Sequence, residues 1–128
     1  MRTQKDVEAY LLRMGRPHKE ADDGTFVVRV EGGSVAVKVE PPLVLARVDV
    51  GPVPATGREA LFGHLLRLNA GALVHAAYGL EDGKIVLSAA LELENLDYNE
   101  LDALIAELDL ALAQQLPKIR ELAPNGAK

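Results

Sequence analysis

The chain has 128 residues, enough for one domain with a real core. Hydrophobic residues make up 48% and charged residues 26%, a balance that excludes a disordered chain. A net charge of −5 opposes electrostatic binding to nucleic-acid phosphates or anionic lipid, and the lack of cysteine excludes a disulfide framework and thiol chemistry.

The N-terminal MRTQKDVEAYLL lacks the apolar run of a signal peptide. The longest uncharged stretch, Leu68 to Leu80, has 13 residues, too few to span a bilayer. A cytoplasmic protein without membrane insertion is therefore expected. The aromatic residues are Tyr10, Phe26, Phe62, Tyr78 and Tyr98, with no Trp, so Leu, Val and Ala must supply most of the core.

Thr3 and Asp6 stand at capping-box spacing before Val7, Tyr10, Leu11 and Met14, which recur at helical spacing. Gly15 and Pro17 end this first helix, and the polar RPHKEADDG reads as a loop. Period two follows. Phe26, Val28 and Val30 share one strand face, and Gly32-Gly33 suits a tight turn. Val35, Val37 and Val39 alternate on the next strand, and Pro41-Pro42 breaks the ladder. A third strand carries Val44, Ala46, Val48 and Val50, which completes an antiparallel meander.

Thr56 and Glu59 have the spacing of a capping box for a second helix. It carries Leu61, Leu65 and Leu68 beside Phe62, Leu66 and Asn69, and Gly71 is its natural stop. A fourth strand aligns Val74, Ala76, Tyr78 and Leu80. After the Asp82-Gly83 turn, a fifth aligns Ile85, Leu87, Ala89, Leu91 and Leu93. Asp97 and Glu100 cap a third helix whose core stripe is Leu101, Leu104, Ile105, Leu108 and Leu112. A second stripe, Ala103, Ala106, Leu110 and Ala113, is either further core or an interface. Pro117 should kink or end this helix, with Leu116, Ile119 and Leu122 in a further turn. The order is α-βββ-α-ββ-α. The expected fold is α+β, a twisted, mainly antiparallel five-stranded sheet with flanking helices. It forms a single domain over residues 1–123, and 124–128 form a disordered tail.

Groups able to do chemistry are scattered. His18, Glu20, Asp22 and Asp23 could hold a divalent cation, but they lie in a charged connector around Lys19 at no fixed ligand spacing. His64 and His75 could approach one another, yet no nucleophile motif accompanies them. Gly57 and Arg58 offer a helix N-terminus to an anion, without the Gly-Lys-Ser/Thr ending of a phosphate loop. Arg13, Arg16, His18 and Lys19 form a short basic cluster without aromatic stacking partners. Glu100, Asp102, Glu107 and Asp109 read as the solvated side of the last helix. No enzyme and no cofactor are expected.

The run LFGHLLRLNAGALVHAAYGLEDGKIVLSAALELENLD, with the leucine-rich acidic helix after it, resembles the type III secretion chaperone-like superfamily, in its YbjN-like and CesT/Tir-chaperone-like branches. Leu65–Asn69, the turn from Gly79 to Gly83 and the helix entry at Leu96-Asp97 carry the resemblance, which covers about half the chain. It implies a cytosolic homodimer that holds an extended segment of a client protein along hydrophobic grooves, without nucleotide. By position, the second helix would build the dimer interface with Phe62, Leu65, Leu66 and Asn69. Val7, Leu11, Val28 and Val37 would line the client groove. The alternative is a YbjN-like regulatory or sensory module that binds a signalling partner or small ligand, with His64, His75 and Tyr78 as its pocket polar groups.

Overall fold

The computed structural model describes residues 2–123; the expected tail at 124–128 lies outside them. Helix α1 spans Gln4–Met14, α2 Arg58–Gly71 and α3 Tyr98–Leu122. The strands are β1 His18–Glu20, β2 Phe26–Val30, β3 Gly33–Glu40, β4 Leu43–Pro52, β5 Ala77–Glu81 and β6 Lys84–Glu92. They form one sheet in the order β1-β2-β3-β4-β6-β5, with every neighbouring pair antiparallel.

Six strands replace the expected five. The additional one, β1, lies within the segment read as a loop, and it pairs His18 with Val28, Lys19 with Val27 and Glu20 with Phe26. A three-residue edge strand bonds to one neighbour and buries little, so apolar alternation is not required of it. The turn after it is closed by the Ala21 N–H donating to the Thr25 carbonyl at 2.7 Å.

Register builds one apolar floor. Phe26 faces Val37, Val28 faces Val35, Val37 faces Ala46 and Val48 faces Leu87, and all of them are buried. The helices cover this floor. Helix α3 touches β3 and both other helices, and α2 lies against β5. Gln4 of α1 donates to the Gly24 carbonyl at 3.2 Å, which ties α1 to the β1–β2 turn. The opposite, outer face carries Lys19, Val27, Arg29 and Ser34, all exposed, and is covered by no helix.

Local chemistry explains the helix ends. The Asp97 carboxylate accepts from the Glu100 N–H at 2.8 Å and Glu100 accepts from the Asp97 N–H at 3.0 Å, so α3 opens on a complete capping box. For α2 the expected box does not form. Gly57, at φ 72°, is the capping residue and takes no side-chain bond, so the helix starts past Thr56. Nor is Gly71 a left-handed stop. It is the last helical residue, and the Ala72 N–H continues the pattern to the Leu68 carbonyl at 2.9 Å.

Pro117 does not end α3, which continues to Leu122. Pro117 and Ala113, whose carbonyl loses its helical donor, are both on the exposed side, where water can replace the missing bond. Leu116, Ile119 and Ala123 are buried and hold the last turns down. The β2–β3 turn also depends on close approach. A Cβ added to Gly32 would lie 2.7 Å from Leu112 Cβ, so only glycine lets this turn meet α3.

Candidate protein-binding cleft

An apolar cleft lies where α2 meets β5. Phe62, Leu65, Leu66, Asn69, Tyr78, Gly79 and Leu80 line a cleft of about 220 Å³. Leu65 and Tyr78 are buried at its floor, whereas Leu66 is 66% and Leu80 52% exposed on its walls. The four residues expected at a dimer interface, Phe62, Leu65, Leu66 and Asn69, all line it. They fall together because 3.6-residue periodicity puts positions 62, 65, 66 and 69 on one side of α2.

Asn69 does more than line the cleft. Its Oδ1 accepts from the Tyr78 N–H at 2.7 Å and its Nδ2 donates to the Tyr78 carbonyl at 3.1 Å. The amide takes the place of a neighbouring strand on the free edge of β5. One step back, the Glu107 carboxylate accepts from the Ala76 N–H at 2.9 Å. Two side chains thus blunt an edge that would otherwise invite strand pairing. What the cleft offers a partner is apolar side-chain surface.

Tyr78 also reaches inward, where its hydroxyl donates to Gln115 Oε1 at 2.7 Å, a buried polar pair under the cleft. Burial pushes the Tyr78 phenol up to about 12, so it stays a neutral donor.

Glu107 and Asp109, read from sequence as solvated, are latches. Glu107 accepts from the Val74, His75 and Ala76 N–H groups at 3.2, 3.0 and 2.9 Å, and its carboxylate lies 3.0 Å from His75 Nδ1. Burial raises its carboxyl, but the donors from Ala76, His75 and Val74 outweigh that and hold it below its ordinary value. The latch holds Val74, His75 and Ala76 to α3 directly before β5 begins at Ala77. Asp109 accepts from Arg16 Nη1 and from the Glu31 N–H, both at 3.1 Å, which ties the end of α1 and the β2–β3 turn to α3. Both latches join residues far apart in sequence and use backbone donors, so no local spacing announces them.

The residues expected at a client groove are buried. Val7, Leu11, Val28 and Val37 are each 0% exposed and belong to the hydrophobic core. All four are covered in this structure. The second stripe of α3 is instead exposed: Ala103, Ala106, Leu110 and Ala113 all lie outside the core, with Leu110 57% exposed. Arg16, Glu31, Asp109 and three of these residues, Ala106, Leu110 and Ala113, surround a second hollow of about 340 Å³ at the end of α1.

The remaining candidates do not converge. Among the described residues no group of three His, Asp or Glu side chains comes together. Glu20 accepts from Gln4 at 3.4 Å and Asp23 from the Thr25 N–H at 3.1 Å. His75 is held by Glu107, and neither it nor His64 lines the cleft with Tyr78. His64 Nε2 is buried without a hydrogen-bond partner among the described residues. Arg58 Nε turns back to the Pro54 carbonyl at 2.8 Å. No described helix is long and apolar enough to cross a membrane.

Comparison with solved structures places this arrangement. A chain of the heterodimeric ExoU–SpcU complex from the type III secretion system of Pseudomonas aeruginosa is similar over 87% of this chain and 95% of its own, with 22% identity and a TM-score of 0.71. The Yersinia pestis complex of the type III secretion chaperone SycH with a fragment of YscM2 matches over 86% and 96%, at 14% identity and a TM-score of 0.62. YbjN from E. coli matches over 88% and 93%, at 16% identity and a TM-score of 0.59. At these identities the likeness is one of fold. No curated protein sequence matches the chain. The model of the CesT_Tir_1 family, however, matches residues 1–125, and the chain belongs to that family.

Proposed function

We propose that this protein is a non-enzymatic secretion-chaperone-like module that pairs with a second copy of itself and holds an extended segment of a client protein. Supporting the reading are membership of the CesT_Tir_1 family and the folds shared with chains of ExoU–SpcU and of SycH with YscM2, both complexes by name. The observation that carries it is the apolar cleft between α2 and β5, where the large apolar side chains of Leu66 and Leu80 stand in solvent beside the buried Leu65 and Tyr78. Two copies that bury this surface against each other form a homodimer through side chains.

The client then uses apolar surface outside the cleft. Leu12 on α1 and Leu110 on α3 are large, exposed and carried by helices in contact with each other, and Ala106 and Ala113 flatten the surface around Leu110. Val7, Leu11, Val28 and Val37 belong to the buried core that carries these elements. A cytoplasmic site of action suits the reading.

Tagged protein purified from its native cell should carry one client at a fixed ratio by mass spectrometry, and Leu110→Asp should release it. Repeated recovery of the bare protein, or a client retained by Leu110→Asp, would count against the assignment. The alternative, a YbjN-like module for a signalling partner or small ligand, rests on the same cleft, whose one buried polar side chain is Tyr78. A thermal shift with a metabolite, lost in Leu66→Asp, would favour it.

A further inference from the structure

The outer face of the sheet carries a charge pattern that the cleft and the α1–α3 seam do not use. Two hollows of about 320 and 330 Å³ adjoin there and share Val27 and Ser34. One is lined further by Pro17, His18, Lys19 and Arg29, the other by Ala36, Arg47 and Asp49. Pairing explains the trough. Lys19, Val27, Ala36 and Arg47 stand opposite one another in sequence across β1, β2, β3 and β4, so they form one row on one face. Arg29 faces Ser34 in the adjacent row. Small side chains at 34 and 36 leave the floor low, and Val27, 40% exposed, stands in its middle.

The cations are not equivalent. Arg47 is taken by Asp49 and Glu81, and Lys38 by Glu40 and Asp23. Lys19 and Arg29 have no ion pair among the described residues. The β1–β2 end of the trough is therefore positive, with two free cations and no carboxylate in its lining, on a chain whose net charge is −5. Lys19 faces Val27, and Arg29 lies two residues beyond Val27 on the same face, so the two charges are diagonal neighbours at about 7–8 Å between Cα atoms. Carboxylates on alternate residues of an extended chain have a similar spacing, about 6.5–7 Å.

We propose that this outer trough of β1–β4 is a docking surface for an acidic polypeptide segment, with Lys19 and Arg29 pairing its carboxylates and Val27 packing against an apolar residue between them. Charge complementarity selects the occupant. Nucleic acid fits poorly, because two free cations are few and no Phe, Tyr or Trp lines the trough for stacking. The proposal does not depend on the chaperone reading, since the trough and the α2–β5 cleft lie on different surfaces.

The test uses a short synthetic Glu-rich peptide with one central Leu, its Lys-rich counterpart and a single-stranded oligonucleotide. Each is titrated into the ¹⁵N-labelled protein at low salt. The Glu-rich peptide should shift the amides of Lys19, Val27, Arg29, Ser34 and Ala36, and the Lys-rich peptide should not. Lys19→Glu with Arg29→Glu should weaken binding at least about tenfold, two exposed pairs being turned into repulsions. Lys84→Glu, at the far end of the same face, should leave affinity unchanged. Unaltered thermal melting of the exposed double variant, or of Lys19→Ala with Arg29→Ala in its place, excludes misfolding as the cause. Equal binding of both peptides, affinity indifferent to the charge reversal, shifts located in the α2–β5 cleft, tighter binding of the oligonucleotide at the trough, or no binding at all would each overturn the proposal.

Discussion

Glu107→Ala removes the carboxylate that holds the chain between α2 and β5. Three backbone N–H groups lose their acceptor. Those of Val74 and His75 lie in exposed surroundings and can turn to water, whereas that of Ala76, a buried residue, cannot do so fully. One stranded donor costs about 1–3 kcal/mol, and the lost charge-assisted bonds push the total to the middle of that range or above, about 2–3 kcal/mol. Urea titration at pH 7 should show this as a lower midpoint at constant slope, because the core is untouched. Glu107→Gln keeps an acceptor without the charge and should fall between wild type and Ala.

The pH dependence has a definite sign. The folded Glu107 carboxyl is held below its ordinary value of 4.5, so its stabilisation is fully present above that value. It fades as the pH falls through the lower folded value. The gap between wild type and Glu107→Ala should therefore stay flat down to about pH 5 and close below it. A loss under about 0.5 kcal/mol at pH 7, the level of an unremarkable surface change, or a gap that widens in acid, would refute the latch.

Leu11→Ala should cost about 2–5 kcal/mol in urea titration, whereas Leu12→Ala, one residue away and exposed, should cost almost nothing; the reverse would restore Leu11 to a surface groove. Gly32→Ala should destabilise by about 1–3 kcal/mol in urea titration, because its Cβ meets Leu112 Cβ rather than a flexible tip, and Leu112→Ala, which keeps that Cβ, should not rescue it in a double-mutant cycle. Asn69→Ala should unprotect the Tyr78 amide in hydrogen exchange, and slow exchange retained there would show that the edge of β5 is closed by something else.

Much of this architecture could be read from residue spacing, for physical reasons that differ by element. The valines of β2, β3 and β4 alternate because one face is buried and the other is not, and the pattern disclosed both strands and face. Asp97 and Glu100 disclosed the start of α3 because a capping box is local in sequence. The same reasoning failed at Thr56, where Gly57 in the left-handed region displaced the start of α2. It also failed at His18–Glu20, where a short edge strand buries too little to impose periodicity.

The site divides in the same way. Phe62, Leu65, Leu66 and Asn69 share a side of α2 by helical geometry, so the cleft was legible. The second role of Asn69, replacing a strand on the edge of β5, depends on a tertiary approach that helix periodicity does not encode. Periodicity reports which residues share a face, not whether another element covers it. Val28 and Val37 do share a face, and it is the covered one.

On the proposed reading the α2–β5 cleft associates first with a second copy of the chain. Light scattering over a range of concentrations tests it most directly, on wild type and on Leu66→Asp, a substitution at an exposed position that spares the core. Wild type should show twice the chain mass of 13.7 kDa, and Leu66→Asp should return to 13.7 kDa with its melting temperature as a folded protein intact. A wild-type mass of 13.7 kDa at every concentration, or a dimer that Leu66→Asp leaves whole, would contradict the account.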